Sequence, residues 1–454
     1  MKTCLLNCNF NIYETSDTPE SLAKKAHFRY FGREVNMSDL PIDPFKVLKE
    51  SGAVYSIVDF DKLEGFYLLP ENDEPAFVGI NKNRPVTRQR FTGAHELCHH
   101  LKDNQSILCK TGDTVGIEVF ANKFASEFLV PTSILRDILK LNPICRTDLD
   151  EVLKLSVKFG VSFQSMLIKV SSVLNWRDID IGKVSKKYKP NKKKTELGLS
   201  SDSILYQQIL NSYQFIKIKP PQKIKTDFLR YVITNDHRIE NGSLSDTRIS
   251  EILTLIRLNG VKAVRSELTS NESEVIGQYL MYNQIFDEVP MRDSYLSFLS
   301  LHRKFYECAP FPEAGGCFRE ANARISGTSV KTSDPEKIGL SVYQVGQESN
   351  KCLKEVNEDD ISSSIKEFCS LHHKLTVIHP FQDGNGRTTR AFLNLQLLSI
   401  SVPPIYILEG EKSLYRNGLV ELDRCTDLES NLLFDFILQK IINNYSIFLP
   451  TNEE

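Results

Sequence analysis

The chain has 454 residues, about three times the length of a typical domain, which predicts two or three domains. Hydrophobic residues make up 41% of it and charged residues 25%, and these ordinary globular values exclude wholesale disorder. The 56 basic and 58 acidic residues leave a net charge of -2, so we expect no general affinity for nucleic acid or for a membrane surface. Ten scattered cysteines are typical of reduced thiols, and no apolar stretch approaches the roughly 20 residues of a membrane span, so we expect a cytoplasmic protein.

The predicted elements change in type along the chain. Three short apolar stretches bounded by turn residues predict strands, at 53–60, 66–69 and 76–81. From about Val86 to Leu174 the apolar residues recur at helical spacing, and a lysine-rich segment without an apolar period then predicts a solvated linker. Helical periodicity dominates the rest of the chain. The sequence therefore predicts a multidomain protein with an α+β domain at 1–182, a linker at 183–200, a helical region of unknown role at 201–265 and a mostly α domain at 266–454.

One segment of the predicted helices contains the motif His-Glu-x-x-His, formed by His95, Glu96 and His99. Residues four apart share one face of a helix, so the two imidazoles can hold a zinc ion. Glu96 can then act as general base toward the water that zinc activates. The next predicted helix carries Glu118 and Asn122 four residues apart. Either of them can supply a third ligand while the other orients a ligating histidine.

The N-terminal part resembles the ImmA/IrrE family of zinc metallopeptidases over roughly residues 20 to 180. The similar features are the Pro-Ile-Asp-Pro-Phe-Lys-Val-Leu stretch that begins at Pro41, the residues around the His-Glu-x-x-His motif, and the Glu-x-x-Ala-Asn helix that ends before Pro131. The resemblance implies a zincin-like fold and a regulatory repressor or antitoxin as substrate. It implies zinc ligands at His95, His99 and Glu118, and a catalytic base at Glu96.

Two further features of this part affect that interpretation. Cys98 stands where the family usually has glycine, and its thiol can be redox-sensitive or perturb the site. The stretch from Val152 to Leu174 superficially resembles a helix-turn-helix, but a helical tail of this kind is similar to what the family normally carries. We therefore expect no nucleic-acid partner.

The most specific pattern in the chain follows an apolar helix that ends near Ile378. Backbone amides of Gly384, Asn385 and Gly386 at the start of the next helix form an anion site suited to a pyrophosphate. Four side chains complete the pattern: His379 as a base for an attacking hydroxyl, Asp383 as a Mg²⁺ ligand, and Arg387 and Arg390 as phosphate-binding cations.

This part of the chain resembles the Fic family over about residues 265 to 450. The family pattern His-x-Phe-x-(Asp/Glu)-Gly-Asn-Gly-Arg-x-x-Arg is complete from His379 to Arg390, Gly-Gly-Cys-Phe-Arg319 is similar to a second family segment, and Tyr415 lies in a late helix. The resemblance implies a mostly α Fic fold and transfer of AMP from ATP, with Mg²⁺, to a Ser, Thr or Tyr hydroxyl of a target protein. It leaves open whether ATP or another nucleotide is the donor.

The Fic resemblance also implies an inhibitory helix with the pattern (Ser/Thr)-x-x-x-Glu-(Gly/Asn). Ser270 and Glu274 meet this pattern except that valine follows the glutamate, and Glu272 is a competing candidate. If this helix acts as in the family, Glu274 pairs with Arg390 and prevents a productive pose of the γ-phosphate. The alternative is a solvent-facing acidic turn.

The sequence thus predicts a bifunctional protein, a zinc endopeptidase joined to an AMP transferase, in a toxin or defence system. The expected partners are ATP, a target protein for the transferase, and a repressor or antitoxin for the peptidase, without a membrane. In one alternative the zinc module is a non-proteolytic sensor, and in another the Fic site removes AMP from a modified protein. A non-enzymatic hypothesis treats both modules as interaction scaffolds. The oligomeric state does not follow from the sequence.

Overall fold

The computed structural model forms two compact units, residues 1–214 and residues 215–454. It describes residues 11–70, 74–103, 105–110, 116–177, 179–199, 202–213, 222–240, 242–266, 268–309, 311–325, 330–423 and 431–445. The boundary lies beyond the predicted linker, so the part of the predicted 201–265 region that precedes residue 215 belongs to the first unit. Among the described residues, no helix is long and apolar enough to cross a membrane.

The first unit combines one small sheet with helices. Its strands are β1 (Val54–Val58), β2 (Leu63–Leu68), β3 (Phe77–Asn81) and β4 (Ile107–Lys110). Its helices are α1 (Pro19–Phe31), α2 (Pro44–Glu50), α3 (Val86–Lys102), α4 (Gly116–Leu129), α5 (Thr132–Leu141), α6 (Leu149–Phe159), α7 (Phe163–Val173), α8 (Ile181–Tyr188), α9 (Pro190–Glu196) and α10 (Ser203–Ser212), with a 3-10 helix at Met37–Asp39. The α+β class is confirmed, and β4 interrupts the region that was predicted to be helical throughout.

The sheet has the strand order β1-β3-β2-β4. β1 pairs with β3 in parallel, and β2 pairs antiparallel with both β3 and β4. Val78 and Ile80 of β3 are fully buried, and α3 packs against β2 and β3. Because α4 packs along α3, the two helices that carry the predicted zinc ligands lie side by side.

The predicted linker at 183–200 contains two helices, α8 and α9, where the sequence indicated no regular element. Tyr188 anchors it, because its hydroxyl donates to the carboxylate of Asp150 at 2.6 Å and its ring stacks on Phe163 at a centroid distance of 4.8 Å. Neither α8 nor α9 has a buried residue. Because these helices do not pack on the core, their sequence needs no apolar residues at helical spacing.

A fully buried arginine joins distant segments of the first unit. The Nε of Arg90 on α3 donates to Oε1 of Gln208 on α10 at 2.9 Å, and its Nη atoms donate to the backbone carbonyls of Ile42, Phe159 and Gly160. Burial lowers the pKa of this guanidinium to about 10, so it stays charged at neutral pH. The side chain thus connects the motif helix α3 to α10 and to the turn between α6 and α7.

We expect Arg90→Met to lower the free energy of unfolding of the first unit by about 3 kcal/mol or more, because several buried carbonyls lose their donor. The only tryptophan of the chain, Trp176, lies in this unit, so its fluorescence in urea reports this transition. Arg88→Met is the matched control: Arg88 lies on the same helix, is 44% exposed and pairs with Glu64, and we expect a loss of no more than about 1 kcal/mol. Equal losses for the two variants would contradict the proposed role of Arg90.

The second unit is helical. Its helices are α11 (Gln222–Ile239), α12 (Asp246–Asn259), α13 (Val261–Arg265), α14 (Ser270–Asp287), α15 (Ser294–Tyr306), α16 (Pro335–Lys354), α17 (Ile361–Ile378), α18 (Asn385–Ser399), α19 (Lys412–Leu422) and α20 (Leu432–Tyr445), with 3-10 helices at Pro312–Ala314 and Glu409–Glu411. The mostly α class predicted for this part is confirmed. α18 packs against α14, α15 and α17, and its residues are buried almost without interruption from Asn385 to Leu397. The N-terminus of α18 is therefore held firmly in the unit.

Candidate functional sites

The three predicted zinc ligands converge in the first unit. Nε2 of His95 lies 3.1 Å from Nε2 of His99 and 3.0 Å from Oε2 of Glu118. Nε2 of His99 lies 3.6 Å from Oε1 of the same carboxylate. All three side chains are buried, and their ligand atoms form the kind of group that holds a metal ion.

The separations between these atoms fit a zinc ion. Tetrahedral ligands at about 2.0–2.2 Å from zinc lie about 3.3–3.5 Å from one another, and the observed separations are 3.0 to 3.6 Å. Burial lowers the pKa of His99, which favours the neutral imidazole that ligation requires. Two histidines and one glutamate are also a ligand set that leaves a position for water or substrate in catalytic zinc sites.

Two residues orient the histidine rings from behind. Nδ1 of His95 lies 3.1 Å from Oδ1 of Asn122, and Nδ1 of His99 lies 2.7 Å from a carboxylate oxygen of Asp103. With both Nδ1 atoms donating, each ring directs Nε2 toward Glu118. The sequence left open whether Glu118 or Asn122 lies at the metal position, and in the structure Asn122 contacts the far side of His95. Asp103, the residue that caps the C-terminus of α3, was not predicted, although its spacing of four residues from His99 would have indicated it.

Glu96, the predicted base, is fully buried beside the ligand cluster. A Cβ atom at Gly65 would lie 2.7 Å from Oε1 of Glu96, so only glycine allows β2 to approach this carboxylate so closely. Cys98 is also fully buried, and burial raises the pKa of its thiol well above the ordinary value. The thiol therefore lacks the exposure and the acidity of a redox-sensitive cysteine.

The second predicted site is built around the N-terminus of α18. Gly384 has a φ of 76° and precedes the first helical residue, Asn385. The Asn385 side chain accepts from the backbone N–H of Phe381 and donates to its carbonyl, both at 2.8 Å, so it closes the loop. The first-turn amides of α18 have no intrahelical acceptor, and amides at this position of a helix can bind an anion.

Five of the seven predicted residues of this loop line one cavity of about 550 Å³: His379, Asp383, Asn385, Gly386 and Arg390. Gly384 and Arg387 are not among the residues that line it. His379 ends α17 with a φ of 50°, a left-handed conformation that is rare for a residue other than glycine. Burial, and then the charge of Arg319, lower the pKa of His379, so its imidazole is neutral and can accept a proton. The arrangement can bind a polyphosphate and deprotonate a hydroxyl.

Comparison with known protein families agrees with both sites. Residues 56–171 match the family model described as the IrrE N-terminal-like domain, and residues 295–397 match the model of the Fic/DOC family. The chain carries an IrrE-like domain followed by a Fic domain. The Fic match contains the whole loop from His379 to Arg390, and the IrrE match contains all four predicted zinc-site residues.

The curated relatives named here match about a third of the chain or less. Protein adenylyltransferase Fic of Drosophila sechellia is 48% identical over 123 residues, which are 27% of this chain and 23% of that protein. The protein of the same name from Drosophila grimshawi is 28% identical over 165 residues, 35% of this chain and 31% of that protein. The chain thus spans less than a third of the length of these relatives. A solved structure of Fic-1 from C. elegans is 18% identical with a TM-score of 0.41, covering 69% of this chain and 91% of that one.

Arg390 of the Fic domain is paired with two acidic residues that the sequence analysis missed. Its Nε donates to Asp236 at 2.8 Å and its Nη2 donates to Glu240 at 2.7 Å. Although burial opposes the charge, the two carboxylates raise the pKa of Arg390 well above its ordinary value. A Cβ atom at Gly386 would lie 2.7 Å from Oε1 of Glu240. The Glu240 carboxylate therefore lies against the backbone of the predicted anion site.

The expectation that Glu274 pairs with Arg390 is wrong. Glu274 accepts a hydrogen bond from Nη1 of Arg387 at 3.0 Å. Residues three apart lie on the same side of a helix, yet Arg387 pairs with Glu274 of α14 and Arg390 pairs with Asp236 and Glu240 at the end of α11. Glu272 accepts from Thr269 at the start of α14 and from Arg248, which identifies it as a helix cap. The Ser270 side chain lies outside the described residues.

A sequence signal for Glu240 was present. Asp236-His-Arg-Ile-Glu240-Asn matches the pattern (Ser/Thr)-x-x-x-Glu-(Gly/Asn) at its last two positions, with aspartate in place of Ser or Thr. The segment lay outside the predicted Fic boundary at 266, and its first position did not fit. The second unit includes this segment together with the residues that match the Fic model.

Proposed function

We propose that the Fic domain transfers AMP from ATP to a Ser, Thr or Tyr hydroxyl of a target protein. The observation that carries this proposal is the single cavity that brings a neutral His379 together with Asp383, the first amides of α18 and Arg390. The curated relatives are named protein adenylyltransferases, which agrees with this chemistry. A site that only bound an anion would not need a general base such as His379 in the same cavity.

Each group of the cavity has a role in the proposed reaction. His379 takes the proton from the target hydroxyl as its oxygen forms a bond to the α-phosphorus, and the bond to the leaving pyrophosphate breaks in line. The amides of α18 and Arg390 stabilise the negative charge that develops on the phosphate oxygens. Asp383 is 68% exposed and supplies hard oxygen ligands, so it fits a Mg²⁺ ion that arrives with the nucleotide.

In the proposed function the described state is inhibited by Glu240. Its carboxylate occupies Arg390 beside the anion site, so the γ-phosphate of ATP cannot use this arginine. Although burial disfavours the carboxylate, Arg390 keeps the pKa of Glu240 below its ordinary value, and the charge pair therefore persists at neutral pH. Asp236 holds the Nε side of the same guanidinium in place.

We expect Glu240→Gly to raise AMP transfer by about tenfold or more, since removing an interaction of about 1.4 kcal/mol already changes a population tenfold. Incorporation of label from α-labelled ATP into protein measures the effect. The matched control is Glu274→Gly, which removes a carboxylate from Arg387 but leaves Arg390 occupied. We expect this control to stay at the basal level. Activation by Glu274→Gly and not by Glu240→Gly would overturn the assignment.

We propose further that the IrrE-like domain is a zinc-dependent endopeptidase acting on a repressor or antitoxin, in a toxin or defence system. Support comes from the buried ligand set and from the position of Glu96 next to it on α3. Bound zinc would supply a Lewis acid for the scissile carbonyl and for water. Glu96 would take the proton of that water, and Asn122 and Asp103 would keep the histidine rings oriented.

The test of proteolysis compares cells that express the wild-type chain with cells that express Glu96→Gln. We expect new protein N-termini with the wild type and not with the variant, identified by mass spectrometry of labelled N-termini. Zinc content is measured for both proteins, because a binding platform without protease activity would hold zinc equally and produce no new termini. That second outcome would leave the domain as a zinc-dependent sensor.

A further inference from the structure

Arg319 lies in the short segment that precedes the loop-bearing helices of the Fic domain and is only 4% exposed. Among the described residues, the acceptors of its guanidinium are backbone carbonyls. Nε donates to His379 at 2.7 Å, Nη1 to Ala321 at 2.6 Å, and Nη2 to Ser333 at 2.5 Å and to Ile378 at 3.3 Å. Its own backbone N–H donates to the carbonyl of Pro380 at 2.9 Å.

These acceptors belong to two different structures. Ile378, His379 and Pro380 form the start of the catalytic loop. Ala321 and Ser333 flank a segment in which Arg324 pairs with Lys331 as an antiparallel bridge. We call residues 321–325 together with 330–333 the flap. The two sides of the flap are joined by Thr332, whose hydroxyl donates to the carbonyl of Ala323 at 2.7 Å.

The flap and the catalytic base line the same cavity. Arg324, Ile325 and Val330 lie on it together with His379. A target segment that brings its hydroxyl to His379 must therefore pass the flap. The distance from the target hydroxyl to His379 then depends on the position of the flap relative to the catalytic loop. The Arg319 side chain joins the backbone of the flap to the backbone of the loop.

His379 needs such support because its backbone is strained. Its φ of 50° is in the left-handed region, which is unfavourable for a residue other than glycine. The carbonyl of His379 is held by Arg319 Nε, and the carbonyls on both sides of it are held by the same residue. Strain of this kind persists only where surrounding contacts impose it.

We propose that Arg319 is a positioning residue for AMP transfer, which sets the backbone of His379 and the flap as one rigid unit so that the target hydroxyl meets the base. This inference rests on the proposed transferase function. The planar guanidinium is essential to it, because only a fork with five donors reaches carbonyls in both directions. A lysine at this position retains the charge but not the geometry.

The first experiment compares Arg319→Lys with Arg292→Lys, an exposed arginine of the same domain, both in the Glu240→Gly background. We expect Arg319→Lys to lower the transfer rate at saturating Mg-ATP by about 100-fold, as a misplacement of about 1 Å does. Binding of a fluorescent ATP analogue is expected to change by less than about threefold, since Arg319 faces carbonyls and not the anion site. Equal losses in binding and rate would overturn the positioning role.

The second experiment does not depend on transfer. Hydrogen exchange of the full chain is expected to become about tenfold faster or more in Arg319→Lys around Ala321, Ser333 and His379 together, and to stay unchanged in Arg292→Lys. If Arg319→Lys unfolds, Thr332→Val tests the same coupling by loosening the flap alone. Faster exchange around both the flap and His379 supports the proposal, and a change confined to the flap overturns it. If Glu240→Gly transfers no AMP, the proposed function fails, while the exchange data still decide the role of Arg319.

Discussion

His379→Ala is expected to lower the transfer of AMP to protein by about 10²- to 10⁴-fold in the activated Glu240→Gly background, the range of a general base. His379 lines the cavity, and burial and then the charge of Arg319 lower its pKa, which favours the neutral imidazole. Alanine leaves the amides of α18, Asp383 and the arginines in place. Transfer of label from α-labelled ATP is measured at saturating nucleotide.

Two measurements separate loss of the base from loss of the site. Mg-ATP binding is expected to be retained in His379→Ala, because the residue contributes no phosphate ligand in the proposed mechanism. In the parent protein the rate is expected to fall as the pH drops through the pKa of His379, which lies below the ordinary 6.5. Protonation removes the lone pair of the base, so the acidic limb is expected to be absent from the residual rate of His379→Ala. A residual rate with the same limb would mean that another group titrates.

The second large effect concerns zinc. We expect one Zn²⁺ per chain in the wild-type protein and none in the His95→Ala, His99→Ala variant, because two of the three converging ligand atoms are lost. Elemental analysis after dialysis against a weak chelator measures the content. Asp103→Asn is expected to weaken zinc binding by about 10- to 100-fold, since the carboxylate that orients His99 is replaced by a neutral amide.

His100→Gln is the matched control for zinc binding. His100 is adjacent to His99 on the same helix and is buried, but its ring contacts the hydroxyl of Tyr67 and the carbonyl of Ser51. We therefore expect this variant to keep its zinc. Loss of zinc from His100→Gln to the same extent as from the double variant would show that the loss reflects disruption of α3 and not removal of ligands.

Much of each site was predictable because its residues lie close together in the sequence. His95 and His99 share a helical face by their spacing alone, and the loop from His379 to Arg390 contains the base, the anion amides and both arginines in one continuous segment. Glu118 was identified through its resemblance to a family helix, and the packing of α4 along α3 then brings it within 3.6 Å of both imidazoles. The helices at 181–196 were missed because their contacts are few and at one edge, as Tyr188 illustrates.

The partners of Arg387 and Arg390 show what spacing does not decide. Glu274 and Glu240 each lie near an arginine-bearing helix of the Fic domain, and both resemble the inhibitory pattern in part. The pairing of carboxylates with guanidinium groups depends on how α11 and α14 pack against α18. In the structure Glu240 pairs with Arg390, and Glu274 pairs with Arg387. Arg319 illustrates the same point. Its acceptors are backbone carbonyls, which every residue has, so no residue type in the sequence indicates them.

The length of 454 residues and the near balance of charge indicated two or three domains without a general electrostatic partner. The sequence by itself determined the α+β and mostly α classes, the IrrE-like and Fic resemblances, and the groups that each site holds, because local spacing on a helix or loop specifies those groups. The tertiary structure alone decided the boundary after residue 214, the acid that occupies Arg390, the orientation of the zinc-site histidines and the coupling through Arg319. These features depend on contacts between residues far apart in the chain, and such contacts are set by helix packing.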